Sequence, residues 1–279
     1  MGTEQDGCLG GSAVVRRMDV CALSMVRRVA AMLDLDPEQI SEGSPLPRGW
    51  HFFLLGGETR RSQLRPDGFP GFGLPMPVLG LPRLLLGGRT VAYQSEILIG
   101  STVERLSRII RLDRKEGLSG PSAIITLQHE LRTSSQAHAA ITETQTYILL
   151  PAGKGAKAKA AKGLAPSGQK TVTTDETLLF LYSALGFNSH KIHLDRAYAC
   201  EVEGLPDLVV NGGLVTLLAT EFLRNDLGVR PRTLKTRHIA PLYCGRAITF
   251  DVQREGAAIT LIAKDDTDAS AMEMMVEAA

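Results

Sequence analysis

The chain has 279 residues, 44% hydrophobic and 22% charged, with a formal net charge of +1. That composition fits a globular protein of one large or two ordinary domains; it gives no field to draw nucleic acid or an anionic membrane, and no apolar run reaches membrane-spanning length. Cys8, Cys21, Cys200 and Cys244 are scattered without a CxxC pair, which argues against a disulfide framework or a cysteine metal site and makes the cytoplasm the expected compartment.

The first element, "VVRRMDVCALSMVRRVAAMLDL" (14–35), reads as an amphipathic helix rather than a targeting segment. Arg16, Arg17, Arg27 and Arg28 interrupt its apolar run, and Asp19 and Asp34 are foreign to a transit peptide. Four strand-like stretches follow a Pro-rich region: "GGRTVAYQSEILIG", "STVERLSRIIRLDRKEGLSG", "PSAIITLQHELRT" and "AHAAITETQTYILL". In the third, Ile125, Leu127, His129 and Leu131 alternate with Thr126, Gln128 and Glu130, the two-residue period of a half-buried strand. "KEGLSGPS" reads as a hairpin connection.

"PAGKGAKAKAAKGLAPSGQK" (151–170) offers almost nothing to bury and reads as a linker between an N-terminal domain (1–150) and a C-terminal domain (171–279). Its "GKG" lacks the second glycine, the Lys-Ser/Thr ending and the preceding strand of a phosphate-binding loop. Beyond it lies "FLYSALGFNSHKIHLDRAYA" (180–199), which places His190 and His193 three residues apart between Asn188 and Asp195. "NGGLVTLLATEFLRNDLG" (211–228) is apolar nearly all round, as a buried helix requires, and Asn211 with two glycines marks its start. The strand-like "PRTLKTRHIAPLYCGRAITFDVQREGAAITLIAKDD" and "ASAMEMMVEA" close the chain, with "REGAA" as a hairpin. An early helix followed by a run of strands occurs twice, so the α+β chain is expected to be a duplicated unit, each copy an antiparallel sheet wrapped around a buried helix.

These residues resemble the mesaconyl-CoA and itaconyl-CoA hydratase family, relatives of MaoC-like hydratases and of the yeast-type mitochondrial 3-hydroxyacyl-thioester dehydratase. The family pattern "FRYSALTFNxHRIHYD" is matched by "FLYSALGFNSHKIHLD" (180–195), and "GYPGLVVHGPL" by "GLPDLVVNGGL" (204–214). In the first half "WHWxYF", "DGHPxxGxFLPPxPLPRRMWAGG" and "GRSGPLVFVTVEH" are matched by "WHFFLL" (50–55), "DGFPGFGLPMPVLGLPRLLLGG" (67–88) and "GLSGPSAIITLQH" (117–129). The resemblance implies a tandem, or double, hotdog fold. It also implies hydration or dehydration of an enoyl or 3-hydroxyacyl thioester carried on coenzyme A or an acyl carrier protein, with no cofactor and with self-association common among hotdog proteins.

By the same resemblance His193 is the general acid/base, and Asn188 stands where MaoC-like hydratases carry an aspartate. An amide cannot take a proton at neutral pH, so proton transfer falls to His193, with His190 beside it. The backbone N–H groups of Gly212 and Gly213 match the donor position for the thioester oxygen. Asp67, Phe69, Arg83 and Asn211 are the expected pocket residues, with Asp67 and Arg83 also readable as braces of a Pro-rich turn. Three departures, Phe69 for His, Asn211 for His and "LLLGG" for "RMWAGG", point to a more apolar cleft with fewer proton-transfer groups. That leaves a cyclase or isomerase of secondary metabolism, or a non-catalytic acyl-binding subunit, as alternatives. A zinc site from His190, His193 and either His238 or Cys244 has suitable ligand types but no matching motif, so no metal is expected.

Overall fold

The computed structural model describes residues 13–117, 120–133, 137–153, 169–256 and 258–279. In the first half β1 (Val15–Val20) and α1 (Leu23–Met32) precede β2 (Arg83–Tyr93), β3 (Thr102–Gly117), β4 (Gly120–Thr133) and β5 (Ile141–Leu150). In the second, β6 (Lys170–Thr173), α2 (Glu176–Leu185) and α3 (Gly212–Glu221) precede β7 (Pro231–His238), β8 (Ala247–Glu255), β9 (Ala258–Lys264) and β10 (Ser270–Ala278). All ten strands form one antiparallel sheet in the order β1-β3-β4-β5-β2-β7-β10-β9-β8-β6. Read outward from the β2–β7 junction, the halves run β2-β5-β4-β3-β1 and β7-β10-β9-β8-β6, so each strand has a counterpart in the matching place. The expected duplication is present in the topology.

The alternation read in β4 holds: Ala123, Ile125, Leu127, His129, Leu131 and Thr133 are buried while their neighbours are half-buried. On the concave side of the second half, α3 buries every residue from Gly213 to Glu221 except Leu218. Full burial of side chains such as Leu214 and Leu217 stabilises by about 1.5–3 kcal/mol each. In the first half the corresponding place holds only a six-residue 3₁₀ helix, Trp50–Leu55. Pro45 and Pro47 before it and Gly56–Gly57 after it leave no room for a longer one. Its Trp50 Nε1 donates to Glu221 Oε1 at 2.7 Å, tying the first-half turn to the far end of α3. The paired helices α1 and α2 pack together; α2 is N-capped by Asp175, whose Oδ1 accepts from the Leu178 amide at 2.7 Å.

Two expectations change. Residues 14–35 are not one helix, because Val15–Val20 pair with Thr102–Ser107 of β3 as an edge strand and the helix begins only at Leu23. A neighbouring strand's backbone outweighs the weak local propensity there. The strand read over 87–100 starts earlier and stops at Tyr93. The hairpins expected at "KEGLSGPS" and "REGAA" close through the pairs Gly117–Gly120 and Glu255–Ala258, with Leu118, Ser119 and Ala257 outside the described residues. Most of the linker expected at 151–170, residues 154–168, also lies outside them.

Candidate active site

After α2 the chain turns through Gly186 and Phe187, the latter at φ 51, a left-handed backbone that a bulky side chain adopts at a cost of about 1–3 kcal/mol. Asn188 Oδ1 then accepts from the His190 amide at 3.1 Å, an Asx turn that reverses the chain. The rings of His190 and His193 meet edge to face, 5.6 Å between centroids and 89° apart. His193 is buried, and its Nδ1 lies 2.7 Å from the Val209 carbonyl. A carbonyl only accepts, so Nδ1 carries the proton and Nε2 of the neutral ring carries the lone pair. Burial first, then His190, push the His193 pKa down to about 3 against an opposing pull from the Val209 bond. Burial and then Arg65 push His190 down to about 4, and Asp67 Oδ2, 3.7 Å from its Nε2, is too far to hydrogen-bond.

A loop of the first half holds this turn in place. Ser189 Oγ donates to the Gly68 carbonyl at 2.6 Å, the Lys191 amide to the Asp67 carbonyl at 2.8 Å, and Lys191 Nζ to the Pro66 carbonyl at 2.8 Å. Gly68 sits at φ 80, and a Cβ there would collide with the Ser189 carbonyl, so only glycine allows the approach. The Asp67 carboxylate accepts from the Phe69 amide at 3.0 Å and pairs with Arg65 at 2.9 Å. The Phe69 ring is thereby set 5.8 Å from that of His190.

The head of α3 is packed as closely. A Cβ on Gly213 would strike the Tyr182 hydroxyl and stand 3.3 Å from Arg89 Nη2; one on Gly212 would meet His238 Cε1 and Leu86 Cδ2, each at 3.1 Å. Asn211, buried just ahead of the helix, donates to Ser183 Oγ at 3.2 Å. Arg89 and Tyr182 also line a cleft of about 120 Å³ together with Asn188, His129, Gln145 and Tyr147, and with Phe52, Phe69, Phe72 and Leu127 as its apolar wall. Arg89 and Tyr182 are thus shared between the cleft wall and the packing against Gly213.

Behind it, Glu143 is 1% exposed and accepts from Gln145 Nε2 at 2.6 Å, with His51 Nε2 at 2.7 Å and Arg89 Nε in charge contact at 3.0 Å. Burial would raise its pKa, but Arg89 and then His51 outweigh that and hold it down to about 2. Burial likewise disfavours the Arg89 cation, yet Glu143 outweighs it and Arg89 stays charged. Tyr147 donates to Gln145 Oε1 at 2.7 Å, and His129, pushed down to about 4 mainly by burial, meets Ser107 Oγ at 2.8 Å. Among the described residues, no three His, Cys, Asp or Glu side chains converge to hold a metal ion.

The family model for hydroxyacyl-thioester dehydratase type 2 matches residues 49–244, the span holding the 66–69 loop, the His190–His193 turn and the head of α3. The chain belongs to this family. It is similar to the mesaconyl-C(4)-CoA hydratase of Chloroflexus aurantiacus, with 32% identity over 264 residues covering 93% of this chain and 92% of that protein. A MaoC-like dehydratase from Phytophthora capsici superposes with TM-score 0.72 at 13% identity, over 98% of this chain and 97% of that one. A Mycobacterium tuberculosis protein with a double hotdog fold superposes with TM-score 0.60 at 13% identity, over 96% of each chain. This member of the dehydratase family is thus a double hotdog hydro-lyase of acyl thioesters.

In this family member the expected residues separate by place. Asn188 and Phe69 line the cleft; His190 and His193 belong to the same turn as Asn188, and Gly212, Gly213 and Asn211 stand at the α3 head. Asp67, Arg83 and Asn211, expected as pocket residues, do not line it, and neither do His190, His193, Gly212 or Gly213. Arg83 pairs instead with Glu203 at 3.3 Å, one ion pair between the halves. Leu84–Leu86 lie in β2 rather than in a loop, so of the three apolar departures only Phe69 reaches the cleft. The cleft keeps six polar side chains.

Arg89, His129, Gln145, Tyr147 and Tyr182 were not expected there. One signal was present for part of this set. Ile141, Glu143, Gln145 and Tyr147 share a face of β5 whose Glu143 and Gln145 are buried, and polar residues at core-facing positions mark a polar interior.

Proposed function

We propose that His193 is the acid/base of hydration and that the substrate is a short enoyl thioester of coenzyme A bearing a carboxylate. The observation that carries the reading is the fixed Nδ1–H bond of the buried His193 to the Val209 carbonyl, which leaves Nε2 as the proton acceptor. Water then gives one proton to Nε2 as its oxygen bonds the β-carbon, and the displaced π electrons load the thioester oxygen as an enolate. Unbonded N–H groups at the α3 head stabilise that charge, and glycine there lets the thioester come close. His193, now an imidazolium whose proton the enolate charge favours, passes it to the α-carbon, so H and OH have been added and the ring is neutral again. Asn188, whose Oδ1 is engaged by the His190 amide, has its side-chain N–H groups left to orient the water.

Arg89 is the one Lys, Arg, Asp or Glu side chain among the described residues lining the cleft, which suits an acyl group with a free carboxylate. The cleft's small volume and the mesaconyl thioester in the name of the Chloroflexus relative support the same substrate class.

Loss of enoyl-thioester absorbance on incubation with mesaconyl-CoA and crotonyl-CoA tests this. Mesaconyl-CoA is expected to be turned over at least about tenfold more efficiently. His193→Gln is expected to lower kcat by about 10²- to 10⁴-fold with the melting temperature kept. Undiminished turnover by that variant rejects His193; no turnover of either thioester by the wild type rejects the reaction.

A further inference from the structure

His238 closes β7 on the same sheet face as Thr236, which pairs with Arg89 of β2. Its ring edge presses on the first residue of α3: Nε2 stands 3.3 Å, and Cε1 3.1 Å, from where a Gly212 Cβ would be. That Nε2 is sealed from solvent and meets no hydrogen-bond partner among the described residues, and the same holds for the neighbouring Asn211 Oδ1 and for Thr236 Oγ1. Buried polar atoms nearly always have partners. Here the orphaned Nε2 of His238 stands beside a helix head whose first N–H groups have no intrahelical acceptor. The helix-head N–H groups and an Nε2–H of His238 would all be donors to an oxygen atom, and Arg89 and Tyr182, which pack beside Gly213, also line the cleft.

We propose that His238 is a further catalytic residue, donating a hydrogen bond from Nε2 to the thioester oxygen at the head of α3 as enolate charge builds there. The inference rests on the hydration reading above. The ring acts as a neutral donor: burial first and then Arg89 push its pKa down to about 4, so at neutral pH it carries a single proton, which the proposal assigns to Nε2. A neutral imidazole does not surrender that proton to carbon, because an imidazolate would result. No bond forms or breaks at His238; it shares its N–H with the enolate oxygen while His193 moves the proton.

The test uses the full-length chain with His238→Leu and His238→Gln, turnover of mesaconyl-CoA, and the vibrational band of the thioester carbonyl in bound butyryl-CoA. His238→Leu is expected to lower kcat by roughly 10²- to 10³-fold with KM within about threefold, and His238→Gln, whose amide restores an N–H, to recover at least about tenfold. The bound carbonyl should shift to lower wavenumber in the wild type and in Gln, and move back towards the free value in Leu. Should Leu fold poorly, Gln against wild type still reads the band. A Leu variant with kcat within threefold of wild type, or Leu and Gln equally impaired with the carbonyl band unmoved, overturns the role. If the wild type hydrates no enoyl thioester, the hydration reading falls, and the butyryl-CoA band still reports separately on His238.

Discussion

In the first half the sheet curves over a six-residue 3₁₀ helix and the buried Glu143–Arg89–His51 cluster; in the second it curves over ten residues of α3 in an apolar bed. The strand order is the same, and the difference lies in what fills the concave side. A full helix excludes water and presents its N-terminus in surroundings of low polarity where each N–H counts for more. The short turn leaves space instead, and the side chains of β2, β4 and β5 that border it carry an arginine, two carboxamide or phenol donors and a histidine. One copy supplies the His190–His193 turn and the helix head; the other supplies most of the cleft lining and the 66–69 loop that holds the turn.

Acid should separate the halves most strongly. Three buried histidines of the second half have lowered pKa values, His193 about 3 and His190 and His238 about 4, whereas the first half has His129 at about 4. Each is neutral when folded but takes a proton in the unfolded chain below about pH 6.5, so the unfolded state binds more protons and stability falls as pH drops towards the folded values. A single imidazole lowered to about 4 removes about 3 kcal/mol by pH 4. Four such groups together come to about 12 kcal/mol, the size of a domain's whole stability, so unfolding is expected near pH 4. Melting curves from pH 7 to 4 check this; His129→Gln should flatten the slope by about a quarter, and a flat wild-type profile would show that the imidazoles are solvated.

Next in size is the ion cluster. Glu143→Met gives β5 the residue type that its counterpart β10 buries at Met272 and Met274. Alone it strands Arg89 beside His51 and is expected to cost about 3–5 kcal/mol in urea unfolding. Adding Arg89→Met should recover at least half of that stability, since an apolar pair replaces an ionic one at little cost. Failure to recover would mean that the first half depends on its charges for more than mutual compensation.

Smallest is the contact between halves. Gly68→Ala and Gly43→Ala both place alanine at φ 80, but only the former meets an obstacle, the Ser189 carbonyl. Each should lose at least about 1 kcal/mol from backbone strain. Only Gly68→Ala should also lower kcat, by about tenfold or more, because it lifts the loop off the His190–His193 turn. Equal kcat in the two variants would break the idea that the first half positions the second.

Much of this was legible in the sequence where the signal is local. Alternation marks β4, apolarity on all faces marks α3, and the repeated order of helix and strands gives the duplication. The turn at Asn188–His193 was legible through its resemblance to a family motif. What depends on distant partners was not. Val15–Val20 become strand only because β3 lies beside them, and Arg83 leaves the cleft only because Glu203 meets it. His238 looks like one polar residue in an ordinary strand until the fold lays its ring against Gly212. Tyr182 lay inside the matched stretch, yet its hydroxyl matters through Gly213, thirty-one positions away in sequence and adjacent in space.

The pairing of β2 with β7 has an implication for how the chain holds together. Because Gly88–Ala92 and Thr233–Arg237 share a hydrogen-bonded ladder at the middle of the sheet, the peptide connection between the halves is not what keeps them joined. Two polypeptides divided between β5 and β6 would between them carry all ten described strands, with the β2–β7 ladder to join them as a heterodimer. Held in one chain, the two halves are present in equal number and need not share side chains, which a symmetric pair of identical subunits could not do.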